Sequence, residues 1–309
     1  MDVVTIIIPS YNHGKFLRKR LTSIVHQTYT NWELIIIEDC SKDDSLKILR
    51  EFQLKHSSKI AHFIVNKENS GSGYTSWEKG ITLAKTKYIW IAETDDYSDP
   101  QFLEKQLAVL EKTNAALSFC GSNYVDENEN YLYNSTKRTS DLNVDIDSYK
   151  LFTSDVFMNG MPFNTYITNG SSVVFKKPKE KIPSDIFKFK QASDIFLWTY
   201  LLEHNTFVFL NIELNYFRRH DDSTSTKITK FRQGSVYYEK AAYLNMFNQQ
   251  SKYKKFIKHY IKYYIWKHKN QVLDTKALKT IDKAPFKILN YYLEFISFGF
   301  KRILNKILK

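Results

Sequence analysis

Three acids stand within four residues at Glu93-Thr94-Asp95-Asp96, directly after the apolar run Tyr88–Ala92. Carboxylates packed this closely repel one another, and a divalent cation relieves the repulsion. Hard oxygen ligands suit Mg²⁺ or Mn²⁺, and a cation with few protein ligands completes its shell with substrate phosphates. A helix N-terminus would also gather acids, because the macrodipole favours them there without any metal. The motif alone leaves both readings open. A second acid, Asp194, precedes the apolar helical start Ile195-Phe196-Leu197-Trp198. There it is either a helix cap, a role Ser193 could share, or a general base in a cleft. Capping is the commoner use of such a residue.

Other chemistries lack their residues. No GxxxxGK[ST] loop surrounds Gly71-Ser72-Gly73, and no GxGxxG follows the first strand. His and Cys do not fall at zinc spacing, and there is no GxSxG elbow. Cys40 and Cys120 make no disulfide framework, which fits a reducing compartment and a cytoplasmic default. Asp221 and Asp222 read as solvated loop acids, and Glu203 and His204 as surface groups.

The elements that must position these residues follow from periodicity. Thr5–Pro9, Trp32–Glu38, Ile60–Val65 and Tyr88–Ala92 read as buried strands. Between them, Phe16 to Val25, Leu46 to Phe52 and Ser76–Ala84 carry helical spacing. Phe102–Leu110 reads as a helix capped by Ser98 or Asp99. Further on, Leu117–Cys120 and Ser122–Asp126 read as strand and turn, and Ser171–Phe175 as a strand. A short helix is expected around Tyr149–Phe157, another helix at Ile195–Leu202, and a strand at Thr206–Leu210. His220–Thr226 reads as a polar loop. Strand–helix alternation predicts a mostly parallel sheet covered by helices. Ligands of such sheets bind beyond the carboxyl ends of the strands. Ser10 to Asn12, Asp39 to Asp43 and Glu93 to Asp96 all fall there.

Charge divides the chain. The net charge is +12, and residues 251–309 hold 15 Lys or Arg against three acids, so the first 250 residues balance to zero. Those last residues also hold 12 of the 48 aromatic residues. Ile257, Ile261 and Ile265 alternate with Lys254, Lys258 and Lys262 at helical spacing. Such a segment suits an anionic membrane surface, helical packing or nucleic acid, in that order. No run of about 18 apolar residues predicts a membrane span, and the first nine residues lack the pattern of a signal peptide.

Taken together, the segments resemble the family-2 glycosyltransferases. TIIIPSYNHGKFL at 5–17, WELIIIEDCSKDDS at 32–45, residues 69–80 and IAETDDYSDPQFL at 91–103 carry the likeness. ASDIFLW at 192–198 and YFRRHDDSTS at 216–225 follow in the family's order. The resemblance spans roughly residues 3–226. It implies an α/β GT-A fold as a catalytic domain over 1–226, with a basic, aromatic-rich helical extension over 227–309. It further implies inverting transfer of a sugar from a nucleotide-diphosphate donor, with UDP favoured.

The resemblance assigns roles residue by residue. Pro9, Tyr11 and Asp39 would line the nucleoside pocket, Asp95 the ribose, and Asp96 would bind Mn²⁺ or Mg²⁺. Asp194 would deprotonate the acceptor hydroxyl, which reverses the preference for a cap. His220 would close over the diphosphate, and Asn169, Gly170 and Ser171 would line the acceptor side. The chain departs from the family at three places. Thr75-Ser76-Trp77-Glu78 lacks a usual basic residue, so His220, Arg218 or Arg219 would have to compensate. Glu93 stands for an Asp, and Ser193 precedes Asp194 where the family has Glu. The expected acceptor is a saccharide, lipid-linked or part of a surface glycan, met at the cytoplasmic face of a membrane. Tyr263, Tyr264, Trp266, Phe295 and Phe298 are the rings expected at that interface. The competing readings are a chain-extending polysaccharide synthase and a non-catalytic basic binding protein. No nucleic-acid partner is expected, and a homodimer stays open.

Overall fold

The structure is a computed structural model, and it describes residues 2–221, 235–259, 261 and 288–307. The chain divides into two compact units, Met1–His220 and Asp221–Lys309.

In the first unit, strands β1 (Val4–Ser10), β2 (Trp32–Glu38), β3 (Ile60–Val65) and β4 (Tyr88–Ile91) form a parallel group in the order β3-β2-β1-β4. Helices α1 (Gly14–Val25), α2 (Ser45–Lys55) and α3 (Gly73–Leu83) connect them. After a two-residue strand, β5 (Tyr97–Ser98), come α4 (Phe102–Thr113), β6 (Leu117–Val125) and β7 (Tyr131–Asn134). Short helix α5 (Thr136–Thr139), β8 (Tyr149–Thr153), α6 (Ser154–Gly160), β9 (Val173–Lys176), α7 (Ser193–Leu202) and β10 (Thr206–Arg218) complete the unit. β9 lies antiparallel between β4 and β6, and β10 lies parallel to β6. Strands β1 to β4, β6 and β10 therefore all point the same way, and their carboxyl ends share one edge.

Continuous apolar runs mark strands covered on both faces, and every residue of β1 and β4 is buried. Pleating sends Ile6 and Ile8 into a core with Leu17 and Leu21 of α1, Ile48 of α2 and Leu107 of α4. Ile7 faces the opposite layer, where α3 approaches so closely that a Cβ on Gly80 would meet Ile7 Cγ2 at 2.5 Å. Burying each such Ile or Leu contributes roughly 1.5–3 kcal/mol. The sheet is thus clamped from both sides, and its edge is a rigid platform.

Three expectations change. Tyr149–Thr153 is a strand, because it pairs antiparallel with Thr206–Leu210; the helix begins only at Ser154. Leu117–Val125 is one strand, which runs through Ser122 to Val125 where a turn was expected. β10 runs on to Arg218 through two irregularities between Leu210 and Asn215. Polar Asn211, Glu213 and Asn215 hid that continuation. Asn215 is fully buried and donates to Ser122 Oγ at 3.0 Å and Asn169 Oδ1 at 3.2 Å.

The second unit contains helices α8 (Ser235–Met246), α9 (Tyr253–His259) and α10 (Ile288–Ile307). Lys258 of α9 lies 3.9 Å from Glu294 of α10. Among the described residues, no helix is long and apolar enough to cross a membrane. The expected boundary at 226/227 and the residues Lys262 to Trp266 lie outside the described residues.

Candidate active site

Glu93 to Asp96 form the turn between β4 and β5, and α4 starts only at Phe102. A helix N-terminus therefore does not account for these acids. Asp99 turns the chain just before α4, its carboxylate accepting from Gln101 N at 2.8 Å, and the N-cap residue, Gln101, makes no side-chain cap bond.

Each acid of the motif meets different surroundings. Glu93 accepts from Trp77 Nε1 at 2.5 Å. Burial, with the charge of Asp95 beside it, pushes its carboxyl up to about 8. Asp96 is 1% exposed and sealed. Its Oδ2 accepts from Asn169 Nδ2 at 2.9 Å and Ser171 Oγ at 2.7 Å, and its Oδ1 accepts from Arg218 N at 3.1 Å. Burial and neighbouring Asp95 raise it to about 6. Asp95 is partly exposed, with Oδ2 3.0 Å from His220 Nε2. Burial opposes its charge, but His13 and His220 outweigh that and bring it down to about 2.

The expected metal ligand, Asp96, is the sealed acid of the motif, and Asp95 stands beside two imidazoles. Asp96 already holds three protein donors, two on Oδ2 and one on Oδ1. His13, Asp95 and His220 can instead each bring one ligand atom within 4.8 Å of the others. The donor set, one ionised carboxylate and two imidazoles, fits a divalent cation. His13 and His220 meet edge-on with centroids 5.7 Å apart, and Phe16 packs 4.9 Å from His220.

Asn169, Gly170 and Ser171, expected on the acceptor side, are buried. Asn169 and Ser171 hold Asp96, and Ser171 Oγ also accepts from Glu93 N at 3.1 Å. Gly170 lies against Trp77, where a Cβ would sit 2.5 Å from the indole ring. Arg218 is no diphosphate ligand either: its guanidinium is buried and donates to the carbonyls of Asp95 at 2.9 Å and Glu127 at 3.0 Å. Arg219 rests over the Phe217 ring, 5.6 Å from its centroid.

At the end of β2, Asp39 is 4% exposed and is gripped by the following loop. Asn66 Nδ2 donates to it at 2.6 Å, Asn69 Nδ2 at 3.0 Å and Ser70 Oγ at 2.7 Å. Pro9 is buried in β1, and its carbonyl accepts from Thr94 Oγ1 at 3.2 Å. Tyr11 stands at the rim, 40% exposed.

Asp194 lies in the first turn of α7, whose N-cap position is Ala192. Tyr74 OH donates to its Oδ1 at 3.3 Å. Loss of water around it pushes its carboxyl up to about 6, against the opposing hydrogen bonds from the Ile195 N–H and Tyr74.

Helix α3 connects these acids. Ser70, just before it, bonds Asp39; Tyr74 in its first turn bonds Asp194; Trp77, one turn later, bonds Glu93. Tyr74 and Trp77 touch edge-on at 5.1 Å, and Trp77 meets Trp198 of α7 at 5.9 Å.

Sequence reasoning missed His13, Tyr74, Trp77 and Arg20. His13 follows β1 as the acid motif follows β4, so strand-end position was the available signal. Trp77 occupies the stretch where a basic residue was missed. Arg20 carried no visible signal: a fully buried cation in α1, it donates to the Glu93 carbonyl at 2.8 Å, with Nη2 4.0 Å from Asp96. Burial lowers its guanidinium to about 10 despite these acids.

Comparison with known proteins places this edge in context. The family model for glycosyl transferase family 2 matches residues 5–178. The chain belongs to that family. TuaG of Bacillus subtilis (strain 168), a glycosyltransferase named for teichuronic acid biosynthesis, is 33% identical over 119 residues, which is 38% of this chain and 46% of TuaG. Glycosyltransferase GlyG of Streptococcus pneumoniae serotype 4 is 27% identical over 132 residues, 43% of each chain. The chain spans about half, or less, of the length of the curated relatives it matches. Among solved structures, S. aureus TarS superposes with a TM-score of 0.58 at 16% identity, over 84% of this chain and 44% of TarS. TarS 1–349 in complex with UDP-GlcNAc gives 0.54 at 17% identity, over 71% and 59%. These likenesses establish the GT-A fold for the family-2 domain.

Proposed function

We propose that this chain is a cation-dependent inverting glycosyltransferase that moves a sugar from a nucleoside diphosphate to a hydroxyl of a lipid-linked or surface glycan. The observation that carries this reading is α3, which ties Asp39, Asp194 and Glu93 to one sheet edge beside Asp95 and His220. Asp39 and its loop suit the base, and Asp95 with His220 suits the diphosphate. UDP is the first nucleotide to test, because the TarS structures of like fold are complexes with UDP and UDP-GlcNAc. A glycan polymer is the first acceptor class to test, because TuaG is named for teichuronic acid biosynthesis.

The chemistry needs a base, a stabilised leaving group and an in-line approach. The acceptor oxygen forms its bond to the anomeric carbon as the bond to the diphosphate breaks, which inverts the configuration. Asp194 takes the hydroxyl proton. A partly dehydrated carboxylate at about 6 is ionised at neutral pH yet basic enough to do so. When bound at Asp95, the cation supplies positive charge against the departing diphosphate. The buried floor of Asn169, Ser171, Arg20 and Arg218 fixes the motif, so little reorganisation accompanies the step.

A thermal-shift panel of sugar nucleotides with Mn²⁺ tests the class and narrows the donor. Stabilisation by one uridine or other nucleotide sugar supports it; no shift with any member rejects it.

The reading extends to an anionic membrane contact through residues 251–309. In support, α10 exposes Tyr292, Leu293, Ile296, Phe300 and Leu304, which recur every three or four residues. Phe295 and Phe298, the expected rings, are only half-exposed. Lys301 is exposed beside the stripe, where each basic residue near an anionic surface contributes about 1 kcal/mol. Replacing Ile296 and Phe300 by Glu should reduce sedimentation with phosphatidylglycerol vesicles. Equal sedimentation would reject the contact.

A further inference from the structure

Three aromatic rings stand in a row where β7, β6 and β10 pair. Tyr133 of β7 stacks on Tyr124 of β6 with centroids 4.4 Å apart, and Tyr124 meets Phe217 of β10 at 5.1 Å. Strand register sets the row, because Tyr133 pairs with Tyr124 and Tyr124 with Phe217. Side chains of paired residues share a sheet face. Asn215, two residues before Phe217 and so on the same face, donates to Asn169 Oδ1 at 3.2 Å. Tyr124 is hydrogen-bonded to Thr168, the residue before Asn169. Contacts carry this face on to the proposed base: Gly170 lies against Trp77, Trp77 touches Tyr74, and Tyr74 bonds Asp194.

The hairpin that carries Tyr133 is pinned at both ends. Arg218 donates to the Glu127 carbonyl in its turn and to the Asp95 carbonyl in the acid motif. After β7, buried Ser135 exchanges two bonds with Ser122, Ser122 N to Ser135 Oγ and Ser135 N to Ser122 O, each at 2.9 Å. Tyr133 covers Tyr124 with one face and is still 50% exposed, so its other face is open to a ligand. Charge beside it is unbalanced. The acids of the hairpin turn are taken, Glu127 by Lys15 at 2.9 Å and Glu129 by Lys19 at 2.7 Å. Arg138, in α5 directly after the hairpin, is exposed, and among the described residues its guanidinium has no acidic partner. The charges of Arg138 and Arg219 both reach the Tyr124 hydroxyl.

Resting on the glycosyltransferase reading, we propose that Tyr133 and Arg138 form a subsite for an anionic acceptor glycan, with a pyranose stacked on Tyr133 and its carboxylate or phosphate held by Arg138. The face of an aromatic ring is negative. The C–H hydrogens of a pyranose are made positive by the oxygens beside them, so the two faces attract. A guanidinium fork takes a carboxylate or a phosphate through two parallel bonds. The occupant is the acceptor chain because the row lies on the sheet face that leads to Asp194, and because an unpaired arginine beside it calls for an anion. Tyr133 stacked on Tyr124 is held in place before the glycan arrives, so little ordering cost falls on binding.

The experiment is an array of immobilised pyranose chains, some bearing carboxylates, some phosphates and some neutral, probed with the full chain. Members carrying either anion should be retained above neutral ones, and the better-retained anion names the group. The preference should fade as salt rises, because an exposed guanidinium is screened. Tyr133→Ala should weaken retention about 3- to 10-fold, and Tyr133→Phe, which keeps the ring, should restore it. Arg138→Gln should bring the anionic members down to the neutral level. Both residues are exposed, so the variants should fold, and a thermal melt verifies this for each protein. Equal retention of charged and neutral members, retention of none, or unchanged retention in either alanine or glutamine variant overturns the proposal, and the donor reading survives if a sugar nucleotide still binds. A dimer in light scattering that Tyr133→Ala dissociates would assign the face to a second copy and also overturns it. Retention that depends on Tyr133 and Arg138, in a chain that binds no nucleotide, supports the subsite and rejects the donor reading instead.

Discussion

Asp96 and Asp194 are both carboxyls pushed up to about 6 by loss of water, and the structure treats them in opposite ways. Asp96 sits on the floor beneath the strand ends. Three side-chain and backbone donors hold it, a buried arginine lies 4.0 Å away, and it is 1% exposed. Asp194 sits on α7 with Tyr74 as its side-chain hydrogen-bond donor and is half-exposed. The same electrostatic outcome thus serves two ends. A sealed carboxyl can shape a site but cannot reach a substrate hydroxyl; a half-exposed one can. Under the proposed function, the floor supplies architecture and α7 the proton transfer.

The largest effect should come from Asp194→Asn. Removing a positioned general base costs about 10²–10⁴-fold in turnover, while nucleotide-sugar binding, which uses the other end of the edge, should stay within about twofold. Steady-state kinetics and calorimetry on the same variant check both halves, and unchanged turnover would move the base elsewhere. The pH profile sharpens the point. A base raised to about 6 must be ionised to act, so transfer should climb about tenfold per pH unit below 6 and level off above it. Because the Tyr74 hydrogen bond favours the ionised form, Tyr74→Phe should move that inflection upward. An inflection that ignores Tyr74 would detach Asp194 from the profile. The floor predicts a smaller effect of another kind. Gly170→Ala drives a methyl into the Trp77 ring and should cost about 1–3 kcal/mol of stability, lowering the melting temperature by several degrees. A melt unchanged in Gly170→Ala would show that Trp77 moves aside freely.

How legible the molecule was in its sequence follows the same division. β2 and β3 have the predicted ends, Trp32–Glu38 and Ile60–Val65, because long apolar runs bounded by polar residues admit one reading. The acid motif was visible because like charges cluster only where something compensates them. Its internal order was not. Whether Asp95 or Asp96 faces outward depends on a half-turn of backbone, and on donors from Asn169, Ser171 and Arg218 that lie 73 to 122 residues away in sequence. Tyr149–Thr153 read as helix because only its partner, the distant Thr206–Leu210, makes it a strand. Trp77 and Arg20 escaped notice because an apolar ring and a helix cation have ordinary uses, and only their burial against Glu93 makes these two unusual.

The central claim is that Asp39, Asp95 and Asp194 surround one bound nucleotide sugar. A crystal structure of the full chain with Mn²⁺ and its preferred sugar nucleotide tests this most directly. The account predicts the base against Asp39 and the 66–70 loop, the diphosphate at Asp95 and His220, and the anomeric carbon turned toward Asp194. A nucleotide bound away from this edge, or one whose sugar points away from α7, would contradict it.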